Sequence, residues 1–291
     1  MSKLHKALDK AREQKNRGTT SVAFSPDQDR LARAYERASR DLTDQTASPV
    51  RSANRKAARE EGVNPSYTRT QVFTPDARIL ESNRIMTPST DPRVKDYYDI
   101  LRTQVLQRTI PNGWNSLMVT SAHPGEGKTL TSINLALAIA RQVQQTALLV
   151  GANFRNPRLC SCFGLDEDRT GLGDYLLDSV QVHDILFSPG VDKMVILPPG
   201  KNMPATDMLG SPRMKNLVQE LKTKYPDRYV IYDCPHVLDM PDSLVFSSYV
   251  DAVLMVVQAG KTPSQDVQEA VRTLEEQGVN IIGMVLNAVR Q

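Results

Sequence analysis

The run Ser121-Ala122-His123-Pro124-Gly125-Glu126-Gly127-Lys128-Thr129-Leu130 orders small, flexible and charged residues in a way suited to holding phosphate. It fits the pattern G-x-x-x-x-G-K-[ST], with Ala122 in the first position. Glycines at 125 and 127 let backbone N–H groups turn inward around a β-phosphate, and the N-terminus of a following helix adds its dipole. The Lys128 ammonium can reach the β- and γ-phosphates, and the Thr129 hydroxyl can bind Mg²⁺. The expected ligand is a purine nucleoside triphosphate, ATP with Mg²⁺. A second constellation is YVIYD at 229–233, an apolar strand ending in a carboxylate that can hold the same cation directly or through water. Lys128 and Asp233 are therefore the candidate catalytic pair, and Thr129 with Asp233 the candidate metal ligands.

A phosphate loop works only between a strand and a helix, and the flanking sequence supplies both. Apolar runs predict strands at 116–120, 146–150, 193–197, 229–233, 252–258 and 280–286. Helical spacing predicts helices at 128–142, 212–224, 241–248 and 264–277, with shorter pieces at 172–178 and 182–187. Asp91-Pro92 is a cap followed by a first-turn proline. It opens a further helix with Val94, Tyr97, Tyr98, Leu101 and Val105 on one face, ending before Pro111. Strands apolar on both sides and separated by helices predict an α/β fold of the P-loop NTPase kind, a mainly parallel twisted sheet with helices on both faces. Ligands in such sheets sit beyond the carboxyl ends of the strands.

The 291 residues are 40% hydrophobic and 24% charged, ordinary for a globular protein. No run reaches the ~18 apolar residues of a membrane span, and the start MSKLHKALDKAREQ lacks the apolar core of a signal peptide. Cys160, Cys162 and Cys234 are odd in number, with Cys160 and Cys162 flanking one residue; they fit a reducing cytoplasm rather than a disulfide framework. His5, His123, His183 and His236 form no zinc-ligand spacing.

The net charge of +3 is uneven: residues 1–92 carry +5 and the remainder −2. Leu4, Ala7, Leu8 and Ala11 form the stripe of a short amphipathic helix within residues 1–17, marginal alone and suited to docking on a partner helix. Residues 18–90 are poor in aliphatic side chains and read as a basic flexible linker, with helix possible near 27–42 and 50–61, so the N-terminal third is expected to be mostly disordered or helical. The P-loop domain is expected to fill 91–291.

From about Asp91 to Asn287 the chain resembles the bacterial tyrosine kinases of capsule and exopolysaccharide synthesis, within the wider group of partitioning and Min-type ATPases. The resemblance rests on SAHPGEGKT, ALLVGANFRNP, GLGDYLL, LPPGKNMPATDMLGSPRM, YVIYDCPHVLDMPDSLVFSSYVDAVLMVVQAGKT and GMVLN in that order. The N-terminal MSKLHKALDKAREQ is similar to the start of soluble members found in exosortase-linked polysaccharide loci. It implies ATP binding by residues 122–130, Arg155 and Asn287, the last at the position that contacts adenine. It also implies a membrane chain-length regulator (polysaccharide co-polymerase) as partner, and hence a cytoplasmic protein peripheral to the inner membrane.

The departures bear on chemistry. Strand 2 of the family ends in D-x-D-x-R, whose aspartates serve Mg²⁺ and act as the base toward tyrosine; here those positions are Gly151 and Asn153. A lost base costs ~10²–10⁴ in rate. Asp239 and Asp242 are the carboxylates that could substitute. His236 stands where the family has the second proline after the strand-ending Asp. Residues after Asn287 lack the tyrosine cluster that these kinases phosphorylate on one another, so an active kinase would have to use another acceptor, such as Tyr97 or Tyr98. The family's ring-forming glutamate and two arginines correspond to Asp96, Asp99 and Arg102, a reversed middle charge; self-association stays open. His123 replaces the signature lysine of partitioning ATPases, which argues against nucleic acid. The expectation is an ATP-binding member with weak or lost autokinase activity, with an active kinase and a partitioning ATPase as alternatives.

Overall fold

The computed structural model describes residues 70–177, 179–200, 205–224 and 227–288. The helix expected at 3–15 and the remainder of residues 1–69 lie outside the described residues. The elements in chain order are β1 (Gln71–Val72), α1 (Ala77–Ser82), α2 (Pro92–Thr109), β2 (Ser116–Ser121), α3 (Lys128–Ala140), β3 (Thr146–Gly151), α4 (Leu172–Leu176), α5 (Val182–Ile185) and β4 (Phe187–Ser188). Then follow β5 (Met194–Leu197), α6 (Ala205–Leu209), α7 (Pro212–Lys224), β6 (Arg228–Asp233), α8 (Asp242–Ser247), β7 (Ala252–Gln258), α9 (Ser264–Glu275) and β8 (Ile281–Asn287). All six strands expected from the apolar runs are present, within a residue or so of their expected bounds.

The strands form one sheet in the order β1-β4-β5-β3-β6-β2-β7-β8. Pairings from β5 to β8 are parallel, and only β4 against β5 is antiparallel. From β2 the chain steps over β6 to β3 on one side, whereas β7 and β8 lie on the other. This reversal opens a crevice at the carboxyl end of β2, where the phosphate loop begins. Successive strand residues feed two cores. Met118, Leu148, Val150, Val230 and Val253 pack under α7, α8 and α9. Leu117, Val119, Leu149, Ile231 and Leu254 pack under α2 and α3. Because both faces of the central strands β2, β3 and β6 are covered, those strands show no polar alternation. Helix α3 is buried around almost its whole circumference, between sheet and α2.

Two sequence expectations are corrected. Residues 70–90, read as the end of the linker, belong to the fold. β1 pairs with β4, Ile85 and Met86 are buried, and the Asn134 side chain in α3 accepts from Met86 N (2.9 Å) and donates to Arg84 O (3.1 Å). The segment is held by partners about 50 or more residues away, so its local composition could not reveal it. On α2, Asp91 caps the helix by accepting from Arg93 N, but the apolar face turns away at its start. Tyr98, Leu101 and Val105 pack, whereas Val94 and Tyr97 are exposed. Among the described residues no helix is long and apolar enough to cross a membrane.

Candidate functional site

The loop from β2 to α3 takes its shape from two glycines. Gly125 and Gly127 have φ of 80° and 96°, in the left-handed region. At Gly127 space is also limiting, because a Cβ would lie 2.0 Å from Asn287 Nδ2. That amide donates to Glu126 O at 2.9 Å, so the end of β8 braces the loop from one side. The Glu126 carboxylate is buried; it accepts from His123 N (2.9 Å) and from the Thr262 hydroxyl. His123 Nε2 lies 2.7 Å from Asp266 Oδ2. These contacts tie the loop to the turn between β7 and α9 and to the first turn of α9. Ala122 sits behind the loop, fully buried, and its carbonyl accepts from Leu238 N (3.3 Å). A small side chain in the first motif position is required there.

Lys128 Nζ donates to Ser121 Oγ (2.9 Å) and His123 O (3.3 Å). Burial pulls its pKa down, and the Asp233 and Glu126 carboxylates oppose that pull. Asp233, at the end of β6, is fully enclosed. Its Oδ2 accepts from Thr129 Oγ1 at 2.7 Å, while its Oδ1 is buried with no hydrogen-bond partner among the described residues. Burial pushes its pKa up to about 6, partly offset by Thr129 and Lys128. An orphaned carboxylate oxygen beside a threonine hydroxyl and a lysine matches the donor set for a divalent cation on a phosphate chain.

The end of β3 is where the structure adds most. Gly151 pairs in register with Asp233, but the space beside it is filled. A Cβ there would lie 2.6 Å from Pro199 Cδ, 2.9 Å from Pro199 N and 3.1 Å from Leu159 Cδ2. Pro199 is fixed because Leu172 N donates to Pro198 O and Gly173 N to Pro199 O. The GLGD and LPPG segments thus form a plug over Gly151. Asn153 Oδ1 accepts from Asn156 N (3.2 Å), serving the local turn. Arg155 reaches the cavity wall, but its Nε and terminal nitrogen donate to Asp242, and a weaker contact goes to Thr206 Oγ1 (3.3 Å). Burial pushes the Asp242 carboxyl up, yet bonds from Arg155 and Thr206 outweigh it and hold its pKa low. Asp242 is therefore no spare base. Asp239 is exposed on a left-handed turn (φ 65°) and does not line the cavity. His236 does line it, and burial together with Lys128 and His123 lowers its pKa.

Two cavities flank the loop. One, about 640 Å³, is lined by Lys128, Thr129, Asn153, Arg155, His236 and others, and also by Arg158 and Cys162, which motif reading passed over. The other, about 490 Å³, lies between α2, α3 and the end of β8, with Tyr97, Tyr98, Leu101, Thr131, Val285 and Asn287 in its wall. Apolar and aromatic on one side of the loop and cationic on the other, the pair suits a planar base joined to phosphates. The sequence puts Tyr97 and Tyr98 on one helix face and offers them as possible acceptors; their place at this cavity depends on how α2 packs. Of the residues at the positions expected to form a ring, two pair within the chain: Arg102 bonds Asp99 (2.9 Å) and Ala138 O (3.1 Å), and Arg141 lies 3.8 Å from Asp99.

No family model matches the chain. The tyrosine-protein kinase CpsD of Streptococcus pneumoniae is 30% identical over 196 residues, covering 67% of this chain and 84% of that protein. Among solved structures, the kinase domain of VpsO superposes with a TM-score of 0.60 at 29% identity, over 67% of this chain and 96% of that domain. The septum site-determining protein MinD of Pyrococcus horikoshii, solved with Mg-ADP, gives a TM-score of 0.51 at 21% identity over 59% and 69% of the two chains; that likeness concerns the fold.

Proposed function

Because the chain belongs to the bacterial tyrosine-kinase family, we propose that it binds ATP with Mg²⁺ in the loop 122–130 but transfers phosphate to tyrosine slowly or not at all. It would serve as a nucleotide-binding subunit of capsule or exopolysaccharide synthesis. Thr129 and Asp233 would hold Mg²⁺, which supplies charge neutralisation on the phosphates. Backbone N–H groups around Gly125 and Gly127 cradle the β-phosphate, Lys128 leaves Ser121 for the phosphate chain, and Asn287 faces the base in the smaller cavity.

The observation that carries the second half is that, among the described residues, no aspartate or glutamate lines the larger cavity. Gly151 is covered by Pro199, Asn153 holds a turn, and Asp242 is occupied by Arg155. Among the described residues no carboxylate in that wall stands ready to take the proton of a tyrosine hydroxyl, and the His236 ring is the base that remains there. A bound nucleotide would then act through the loops it orders, read by a membrane chain-length regulator that keeps the protein at the inner membrane. The kinship with capsule kinases supports that partnership.

Incubation with labelled ATP and Mg²⁺ tests this, following protein phosphorylation and phosphate release beside Lys128→Ala. Binding that Lys128→Ala removes, with no label on protein, is the expected result. Ready autophosphorylation abolished by Lys128→Ala would overturn it.

A further inference from the structure

Among the described residues, four cationic or potentially cationic side chains line the larger cavity: Lys128, Arg155, Arg158 and His236. Three have assigned work or no charge. Lys128 is held by Ser121 and the His123 carbonyl. Arg155 is paired with Asp242. His236 has its pKa lowered, which favours the neutral ring. Arg158 differs: its guanidinium makes no hydrogen bond or ion pair among the described residues. Its neighbour Cys162 offers no counter-charge, since burial, then Asp233, pushes the thiol up to about 11. With no carboxylate among the described residues of the wall, an unpaired guanidinium in the same cavity as Lys128 and Thr129 is complementary to a phosphoryl or similar oxyanion.

We propose that Arg158 ligates the phosphoryl group beyond the β-phosphate and so makes this chain a discriminator of ATP from ADP. The inference rests on the nucleotide reading above and adds the residue that reports the third phosphate. Its placement has a structural basis. Leu159, the next residue, packs at Gly151, and Glu167 fixes the following turn by accepting from Cys160 N (3.2 Å) and Ser161 N (2.7 Å). The Pro199 plug and Leu159, the residue beside the arginine, thus both crowd Gly151. A position that would prepare a tyrosine for attack is replaced by one that binds the phosphate itself.

The same chemistry could be met by free phosphate, so the test has two arms. Calorimetry on the full chain with Mg²⁺ would measure ATP, ADP, and orthophosphate added to the ADP complex, for wild type, Arg158→Ala and Arg158→Lys. Arg158 is exposed, so both variants should keep the wild-type thermal transition. The expected result is a fall of about tenfold in the preference for ATP over ADP in Arg158→Ala, with ADP affinity unchanged and Arg158→Lys intermediate. An unchanged preference coupled with weaker orthophosphate binding would keep the oxyanion site but overturn its assignment to the nucleotide. An unchanged preference with unchanged orthophosphate binding would overturn the proposal altogether. Wild-type protein that binds neither nucleotide would overturn the nucleotide reading itself, a failure visible before any variant is made.

Discussion

Replacing Asp233 by asparagine should make the ligand-free protein more stable, although it removes a residue central to the site. The carboxylate is enclosed at the end of β6, and burial raises its pKa from 3.8 to about 6. A folded-state pKa above the unfolded one means that folding favours the protonated acid. That contribution is fully present below about pH 4 and is lost as pH rises through about 6. Two units correspond to about 3 kcal/mol against the fold at neutral pH. The amide avoids this cost, keeps an oxygen for the Thr129 hydroxyl, and leaves one polar atom unpaired just as Oδ1 is now. Urea unfolding of both proteins at pH 4, 5, 6, 7 and 8, in chelator and without nucleotide, measures the difference. The gain should be near zero at pH 4 and reach about 3 kcal/mol by pH 8. A variant no more stable at pH 8, or a gain that does not change with pH, would refute the claim that Asp233 is strained by burial. With Mg²⁺ and ATP added, the order should narrow or reverse, because only the wild type can use the cation.

Two further outcomes follow from the same geometry. A chain lacking residues 1–69 should keep a cooperative thermal transition, whereas one lacking 1–90 should lose several kcal/mol, since Ile85 and Met86 alone contribute about 1.5–3 kcal/mol each by burial; equal melting of the two truncations would place the boundary at 90 after all. Gly151→Asp with Asn153→Asp, which restores the family's carboxylates, should be destabilised by about 1–3 kcal/mol and gain no autophosphorylation, because the new Cβ meets Pro199 at 2.6 Å; Asn153→Asp alone should fold normally, and a stable, active double variant would mean that the 198–200 turn yields.

Local chemistry made part of this protein legible from its residues alone. The phosphate loop, the strand-ending Asp233 and the six apolar strands are each written within ten consecutive residues, and short-range physics fixes what such stretches do. A glycine in the left-handed region, a lysine at a helix start and an unbroken run of aliphatics mean nearly the same thing in any chain. The roles of Gly151, Asp242, Arg158 and residues 70–90 are of another kind. The absent carboxylate at 151 is plain in the sequence, but that its place is taken by Pro199, 48 positions later, depends on two backbone bonds from α4. Asp242 looks like a spare base until Arg155, 87 residues away, is seen to hold it. Arg158 stands out only because the other described cations of that cavity, Lys128 and Arg155, are engaged. Ile85 and Met86 sit in a stretch too polar to suggest a core, and Asn134 on the far side of the phosphate loop holds them there. Contacts across such separations leave no period or motif, so only the packed tertiary structure decided which charges were free and which positions were filled.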